Sequence, residues 1–357
     1  MKILYGVQGT GNGHITRARA MAPALAQAGI EVDYLFSGRD PDKYFDMAPF
    51  GDYRTCAGLT FATRNGKVSV LRTMLDMEYR QFFHDVSSLD LSGYDLVLTD
   101  YEPVTAWAGR KANIKVIGTG HQYAFDHPIP QRRASPLRQW IMHRFAPVDV
   151  GIGFHWHHFG YPILPPLAPV EEPVEQQDFV LVYLPFESLE AIDALLQQFP
   201  EQRFHVYHPE LKQASTTGKV CYFPPSRDGF QHALSSCSGV IGNAGFELSS
   251  EAINLGKKLL VKPLKGQPEQ YSNVIALNRL GLGNGMNRLC PATVAGWLEN
   301  GVGVRVVYPD VASALALWLA TAMNEPLPEL AARLWQQVEF PNNLTASASL
   351  PKTLFAH

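Results

Sequence analysis

The chain has 357 residues, of which 46% are hydrophobic and 18% are charged, and its formal net charge is −3. A chain of this length predicts two domains of ordinary size. The weak negative charge lacks the basic footprint of a nucleic-acid-binding protein or of a protein that binds anionic membranes.

The first half alternates strand and helix patterns, which is typical of a parallel sheet with helices on both faces. Apolar runs predict strands at 3–7, 31–36, 95–100 and 114–120. Helical spacing predicts helices at 15–28, 70–89 and 103–112, the last with Pro103 in its first turn.

A proline-rich stretch at 161–177 interrupts this alternation, which then restarts. Strands are predicted at 179–185, 204–208, 219–223, 239–243 and 257–263, and helices at 189–198, 229–237, 247–255 and 270–280. We therefore predict an α/β chain of two Rossmann-like, doubly wound domains that face each other across a cleft. The predicted boundaries are 1–165, a linker at 166–177, 178–325, and a C-terminal helix and tail at 326–357 that packs back on the first domain.

Compartment and membrane contact follow from a few further features. The four cysteines (Cys56, Cys221, Cys237 and Cys290) are widely spaced, which indicates free thiols in a reducing compartment. The N-terminus lacks a signal-peptide pattern, and the apolar stretch 311–323 is shorter than the ~20 residues of a membrane span. We expect a cytoplasmic protein without a transmembrane segment; peripheral membrane contact stays open.

The glycine-rich turn GTGNGH follows the first predicted strand. It is not a dinucleotide fingerprint, because His14 stands where the third glycine belongs and the second strand ends without a carboxylate. It also lacks the Gly-Lys-Ser/Thr of a P-loop. Gly11 and Gly13 instead predict a close approach of a ligand to the backbone, although turn geometry alone is the alternative.

His14 is predicted to lie in the first turn of the first helix, at the cleft. A helix N-terminus disfavours the imidazolium, so a neutral ring there suits proton abstraction from a hydroxyl group. The ring needs an acidic residue to orient it. Asp100 ends a neighbouring strand and is the predicted partner, with Glu102 as the alternative.

Residues 242–283 carry the predicted ligand-binding chemistry of the second half. A strand ends at Asn243, and a helix then begins near Phe246, where free N–H groups make an anion site. Glu251 lies on that helix, and the loop before the next helix carries polar side chains that suit sugar hydroxyls. A plain βαβ unit with a polar loop is the alternative.

The stretch GNAGFELSSEAINLGKKLLVKPLKGQPEQYSNVIALNRLGLG resembles the donor-binding signature of GT-B glycosyltransferases. The similarity is to the group with the peptidoglycan N-acetylglucosaminyltransferase and the UDP-glucosyl and UDP-glucuronosyl transferases. GTGNGH likewise resembles their N-terminal G-G-x-G-H loop, and the whole chain resembles a branch of predicted bacterial and archaeal glycosyltransferases. The chain departs from the signature at Lys257 and Lys258, which replace a small residue and proline. The acidic-Gln pair of the plant-type enzymes is also absent as such, and Glu269-Gln270 stands in its place.

The resemblance implies a role for each matched position. His14 would be the general base, with Asp100 as its orienting partner by position only. The residues implied to bind the donor are Phe223 and Pro224 (base), Gly245 and Phe246 (diphosphate), Glu251 (ribose), and Glu269 and Gln270 (sugar). Asn243 is expected to bind the donor as well, with no part of the donor assigned to it. The residues expected on the acceptor side are Gly11, Gly13, His121 and Gln122.

Two further clusters contain residue types that can bind a metal ion. Asp40-Pro41-Asp42 spells D-x-D but follows a helix-start signal, where acidic residues are favoured anyway. The histidines of FHWHHFG, at 154–160, lack an adjacent carboxylate or cysteine, and packing under the linker is favoured over an acceptor wall. We therefore expect no metal and no cofactor.

The sequence as a whole predicts a metal-independent, inverting glycosyltransferase of the hexosyltransferase type. Its donor would be a nucleotide sugar, with a UDP-sugar preferred, and its acceptor a hydroxyl compound such as a cell-envelope glycan or lipid. The alternatives are a non-hydrolysing nucleotide-sugar 2-epimerase of the same fold and a non-catalytic nucleotide-sugar-binding protein.

Overall fold

A computed structural model describes residues 1–59, 79–132, 142–167 and 174–341, together with the backbone of 63–64 and 67–68. Within these residues the first sheet has the strand order β3-β2-β1-β6-β7-β8, and every pair in it is parallel. The two short strands β4 and β5 form a separate antiparallel pair. The strands are β1 Lys2–Gln8, β2 Glu31–Ser37, β3 Tyr53–Cys56, β4 Thr63–Arg64, β5 Lys67–Val68, β6 Leu96–Asp100, β7 Val116–Gly120 and β8 Val150–Gly153.

Helices cover both faces of this sheet, which explains why β1 is buried along almost its whole length. Short 3₁₀ turns lie at Pro41–Lys43, Ala48–Phe50 and His121–Asp126. Of the predicted helix 70–89, residues 70–78 lie outside the described residues. The helices are α1 Asn12–Gln27, α2 Tyr79–Ser88 and α3 Pro103–Ala112.

The second sheet has the strand order β11-β12-β10-β9-β13-β14-β15 and is parallel except for the edge pair β11–β12. Its strands are β9 Val180–Tyr183, β10 Phe204–Tyr207, β11 Ser215–Thr217, β12 Val220–Phe223, β13 Gly239–Asn243, β14 Lys258–Lys262 and β15 Asn284–Gly285. The helices of this half are α4 Leu189–Leu196, α5 Arg227–Ser236, α6 Phe246–Asn254, α7 Pro268–Leu280, α8 Pro291–Asn300, α9 Val311–Ala320 and α10 Leu327–Trp335.

The C-terminal helices pack against the first half of the chain. Helix α9, which the sequence assigns to the second domain, packs against α1. In α10, Trp335 Nε1 donates a hydrogen bond to the carbonyl of Ile163 at 2.6 Å. Ile163 and Leu164 are completely buried, so the first part of the proline-rich stretch is packed rather than extended in solvent. The domain boundaries stay a prediction, and residues 168–173 and the tail from 342 onward lie outside the described residues.

Among the described helices, none combines the length and the apolar character that crossing a membrane requires.

Candidate functional site

A large cleft opens where the carboxyl ends of the strands in both sheets face each other, the usual position for ligands in open α/β sheets. It encloses about 2070 Å³. A typical small-molecule pocket holds roughly 300–1,000 Å³, so the cleft has room for two substrates at once. The N-termini of α1 and α6 both line it.

The first turn of α1 carries the predicted base. His14 Nδ1 lies 2.6 Å from Asp100 Oδ1, and Asp100, at the end of β6, is completely buried. Nδ1 also lies 3.0 Å from Arg17 Nη2, which can only donate. A neutral ring that donates from Nδ1 to the carboxylate, the shorter of the two contacts, keeps a lone pair on Nε2. His14 lines the cleft and its side chain is 16% exposed. The structure therefore brings the two predicted residues together, with a basic nitrogen left for a ligand.

Glu102, the alternative partner, is committed elsewhere. Its carboxylate is buried and caps α3, accepting hydrogen bonds from the N–H groups of Val104 and Thr105. It also accepts from the hydroxyl groups of Ser37 and Thr105. The alternative prediction, that Glu102 orients His14, is wrong because four donors already bind the oxygens of Glu102.

Two charged residues that the sequence analysis missed complete this cluster. Arg17 donates from Nε to Asp100 Oδ2 at 2.7 Å and from Nη2 to Asp100 Oδ1 at 2.5 Å. Its Nη1 pairs with the carboxylate of Glu247, at the start of α6. Arg17 follows His14 by three residues and so shares its helix face, a signal that could have identified it. Glu247 had no such signal, because acidic residues are common in first turns.

The charges in this cluster set its protonation. Burial alone would raise the pKa of Asp100, but the charge of Arg17 and the hydrogen bonds from His14 and Arg17 hold it below its ordinary value. Burial raises the pKa of Glu247, and the Arg17 charge opposes that shift. Asp100 is therefore ionised at neutral pH and can stabilise a proton taken up by His14.

Helix α6 begins at the cleft without a side-chain cap. Its N-cap residue is Gly245, and within the described part of the chain no side-chain cap accepts from the first N–H groups of the helix. A Cβ atom at Gly245 would meet nothing within 4 Å, so the backbone is open to a ligand here. Asn243, just before the turn, is buried, and its Oδ1 has no hydrogen-bond partner among the described residues. This helix start can bind an anion.

Two amide–carboxylate pairs lie on the cleft wall. Gln231 Nε2 donates to Glu251 Oε2 at 3.2 Å, and Gln122 Nε2 donates to Glu269 Oε2 at 3.1 Å. The Oε1 atoms of both glutamines are buried and have no partner within the described part of the chain. Because these oxygens can only accept, they suit hydroxyl groups of a sugar or ribose. Gln231 was not identified from the sequence.

Three predicted contact residues differ from their predicted positions. Phe223 and Pro224 are not among the residues that line the cleft, whereas the next residues, Pro225, Ser226 and Arg227, are. The Phe223 carbonyl accepts from the backbone N–H of His208, and its ring lies 4.9 Å from that of Tyr207. The Gln270 side chain accepts through Oε1 from the N–H of Leu264 at 2.7 Å, so its carbonyl end holds the loop before α7 rather than a sugar.

His121 was predicted on the acceptor side, and its position corrects that prediction. The ring is 1% exposed, and its nitrogens lie 2.7 Å from the Phe154 carbonyl and 2.6 Å from Asn273 Oδ1. Burial lowers its pKa. His121 lines the cleft, but its Nδ1 is engaged within the first half of the chain and its Nε2 with the second half. Neither ring nitrogen is available to an acceptor.

The glycines of the first turn differ in their surroundings. A Cβ at Gly13 would lie 3.1 Å from Glu247 Cγ, so this glycine lets α6 approach α1. A Cβ at Gly9 would lie 2.2 Å from the Tyr44 hydroxyl, so packing alone requires that glycine. At Gly11 a Cβ would meet nothing within 4 Å. Of the three, Gly11 is the position that leaves room for a ligand.

The histidines after β8 do not line the cleft. His155 is completely buried, and its ring lies 5.3 Å from Trp156 and 5.2 Å from Phe159. His157 and His158 pack on Trp335 of α10, and burial lowers the pKa of His157 to about 4. The preference for packing over an acceptor wall agrees with these contacts. Among the described residues no group of three or more His, Cys, Asp or Glu side chains could hold a metal ion.

Comparisons with known proteins give the same picture. The family model described as glycosyl transferase family 1 matches residues 1–131 and 162–300. No curated protein matches the chain. Solved structures that resemble it include the glycosyltransferase SnogD from Streptomyces nogalater, with a TM-score of 0.54 and 12% identity over 94% of this chain and 99% of that one.

Two other similar structures hold nucleotides. LpCGTa in complex with UDP has a TM-score of 0.55 at 16% identity, over 94% of this chain and 93% of that one. The spinosyn rhamnosyltransferase SpnG complexed with thymidine diphosphate has a TM-score of 0.53 at 13% identity, over 94% and 100%. At such identities the likeness shows the fold alone, and it confirms the predicted GT-B architecture of two doubly wound sheets.

Proposed function

The chain belongs to glycosyl transferase family 1, and from that premise we propose that it moves a sugar, with inversion, from a UDP-sugar to an acceptor hydroxyl group. The observation that carries this proposal is the pair formed by His14, at the start of α1, and Asp100, at the end of β6, beside the uncapped start of α6. One helix start presents a base, and the other presents an anion site.

The proposed reaction uses both helix starts in one step. His14 Nε2 takes the proton from the acceptor hydroxyl, and the acceptor oxygen forms a bond to the anomeric carbon. The bond from that carbon to the diphosphate oxygen breaks on the opposite face, which inverts the configuration. The leaving diphosphate keeps the electron pair, and the N–H group of Phe246 at the start of α6 stabilises its charge. The N–H group of Gly245 was predicted to do the same, but it donates to the Asn243 carbonyl at 2.7 Å. The proton stays on His14, where Asp100 stabilises it.

The other polar residues of the cleft would bind the ribose, the sugar and the base of the donor. Glu251 and Gln231 would bind the two ribose hydroxyls, since both present acceptor oxygens at the cleft. Glu269 and Gln122 would bind the sugar in the same way, from the two sides of the cleft. The nucleotide base would meet the wall at Pro225.

The proposed transfer needs no divalent metal and no cofactor, because the start of α6 supplies the stabilisation that a metal provides elsewhere. The D-x-D motif begins with Asp40, which lies at the edge of the cleft and already has a cationic partner. Asp40 pairs with Lys43 at 2.5 Å, and both side chains are about 70% exposed. Activity that survives in EDTA would support this part of the proposal.

A thermal-shift screen over UDP, TDP, GDP and their sugar conjugates tests the donor. A ligand at 100 times its Kd stabilises the folded state by about 2.7 kcal/mol, so a UDP-sugar should raise the melting temperature by several degrees. Absence of a shift with every nucleotide would refute the donor assignment. Incubation with the donor alone then distinguishes transfer from 2-epimerisation, because only an epimerase would convert the sugar without an acceptor.

A further inference from the structure

Arg17 joins the proposed base to the other half of the chain. Its side chain is 4% exposed, and its guanidinium group contacts Asp100 through two nitrogens and Glu247 through the third. Asp100 belongs to the first sheet and Glu247 to the first turn of α6. The three groups thus form one chain of charges across the cleft, which ends at His14.

The paired contact with Arg17 fixes the carboxylate plane of Asp100. A guanidinium group binds a carboxylate through two parallel hydrogen bonds, which a lysine cannot do. With Oδ2 held by Nε, Oδ1 is directed at both Arg17 Nη2 and His14 Nδ1. The orientation of Asp100 selects the tautomer of His14 that keeps its lone pair on Nε2.

Glu247 is the contribution of the second half of the chain. It lies two residues after Gly245, so it moves with the helix start that is proposed to bind the diphosphate. When Arg17, Asp100 and Glu247 are ionised their charges sum to −1, and a proton on His14 would neutralise the cluster. Without Glu247 the same proton would create a net positive charge in a buried place, which is unfavourable.

We propose that Arg17 and Glu247 are positioning residues that complete the base only when the two halves of the chain meet. This inference rests on the proposed function, because it assigns His14 as the base of that reaction. Arg17 orients Asp100, Glu247 holds Arg17, and the start of α6 that carries Glu247 also carries the donor. The base is therefore assembled on the side of the cleft that the donor occupies.

Other contacts between the halves provide a comparison that does not involve the base. Trp156 Nε1 donates to Ser250 Oγ at 2.9 Å, and Ser250 lies on α6, one turn after Glu247. Ser250→Ala removes a hydrogen bond between the halves from the same helix but leaves the charges unchanged. It is the matched control for loss of an interface contact.

The test is the tautomer of His14, measured by NMR of protein labelled with ¹⁵N-histidine and assigned with the His14→Gln variant. The wild type should show one tautomer, protonated on Nδ1. Arg17→Lys and Glu247→Gln should each lose that single tautomer and show a mixture. Ser250→Ala should retain the wild-type signal. Glu247→Gln keeps the side-chain volume at a position that is 11% exposed, so this variant should fold. It therefore tests the positioning role by itself if Arg17→Lys does not fold.

The same samples separate this inference from the proposed function. A single Nδ1-protonated tautomer in both variants would overturn the inference, and its retention in Glu247→Gln alone would overturn the part played by α6. Titration with UDP, by calorimetry, addresses the donor site independently. Failure of UDP to bind the wild type would count against the proposed function while leaving the NMR result valid.

Discussion

The imidazole ring of His121 lies flat on the ring of Phe246, with centroids 4.0 Å apart and planes 7° apart. His121 follows the last residue of β7, and Phe246 is the first residue of α6. The Phe246 ring is therefore committed to the contact between the two halves of the chain. What this residue can offer to a ligand is its backbone N–H, at the open helix start.

We expect Gly245→Ala to weaken UDP binding by about 10-fold or more. The added methyl group meets no protein atom, but it would stand where a diphosphate must approach the N–H groups, and one hydrogen bond to a charged group contributes about 1.5–3 kcal/mol. Calorimetric titration with UDP measures the change. Alanine is a poorer N-cap than glycine, so a stability loss of about 0.5 kcal/mol is expected.

The matched control for this variant is Gly296→Ala, on the exposed face of α8. Its Cβ also meets nothing within 4 Å, and alanine in a helix interior is more favourable than glycine by up to about 1 kcal/mol. UDP binding equal to that of the wild type is expected for the control. Equal binding by both variants would place the diphosphate elsewhere.

Replacement of His14 by glutamine should lower the transfer rate by about 10² to 10⁴, the usual contribution of a general base. The proposed nucleotide contacts all lie in the second half of the chain, so UDP affinity should stay within about 2-fold of the wild-type value. Single-turnover transfer to an acceptor measures the rate. His84→Gln, at a side chain that is 72% exposed, is the control, and a normal rate in His14→Gln would remove the base assignment.

Glu251→Gln tests the ribose contact. The substitution keeps the shape of a buried side chain but replaces a charged acceptor, so UDP affinity should fall by about 10-fold. Affinity for 2′-deoxy-UDP should fall less, since that ligand has one hydroxyl group fewer to bind. The surface variant Glu299→Gln in α8 should change neither affinity. An equal loss for both ligands would assign Glu251 to another part of the donor.

Stability should decrease as the pH falls below about 7, and His155 should account for part of that slope. Burial lowers the pKa of His155 well below 6.5, so below pH 6.5 the unfolded chain binds a proton that the folded chain does not. Protonation then favours unfolding, by up to about 1.4 kcal/mol per pH unit for one such histidine. Stability is therefore lost as the pH falls from about 6.5, the histidine pKa in the unfolded chain, towards the lower pKa of His155 in the folded chain.

His155→Leu should flatten this dependence and raise the melting temperature at pH 5. Both ring nitrogens of His155 lack a hydrogen-bond partner among the described residues, so an apolar side chain of similar volume also removes an unfavourable burial. Thermal unfolding between pH 5 and pH 8 measures the slope. His84→Gln should keep the wild-type slope, and a variant as steep as the wild type would show that His155 is not responsible.

Local sequence signals predicted the elements that build the cleft. The apolar run before GTGNGH forms β1, the helix predicted to begin at Pro103 is α3, and Asn243 is the last residue of β13. Parallel strands bring their carboxyl ends to one edge. Order along the chain was therefore enough to predict that His14 and Asp100 would lie close together.

Contacts between distant segments were beyond the reach of these signals. Gln270 and His121 have the residue types of ligand-binding positions, but the loop at Leu264 and the interface at Asn273 use their polar atoms. Glu247 has no distinguishing local pattern and Arg17 has only its spacing from His14, and both matter because folding places them against each other across 230 residues. Residue type sets what a side chain can bind, whereas tertiary packing decides which partner reaches it first.

The sequence by itself determined the two-sheet architecture, and it predicted a base at one helix start and an anion site at another. Periodicity and turn residues encode the elements locally, and the motifs GTGNGH and GNAGFE carry the family resemblance. Only the tertiary structure decided that α6 meets α1 at Gly13, that Arg17 links Asp100 to Glu247, and that Pro225 rather than Phe223 lines the cleft. The reason is physical: hydrogen bonds and charge pairs depend on distances in space, which no local pattern specifies.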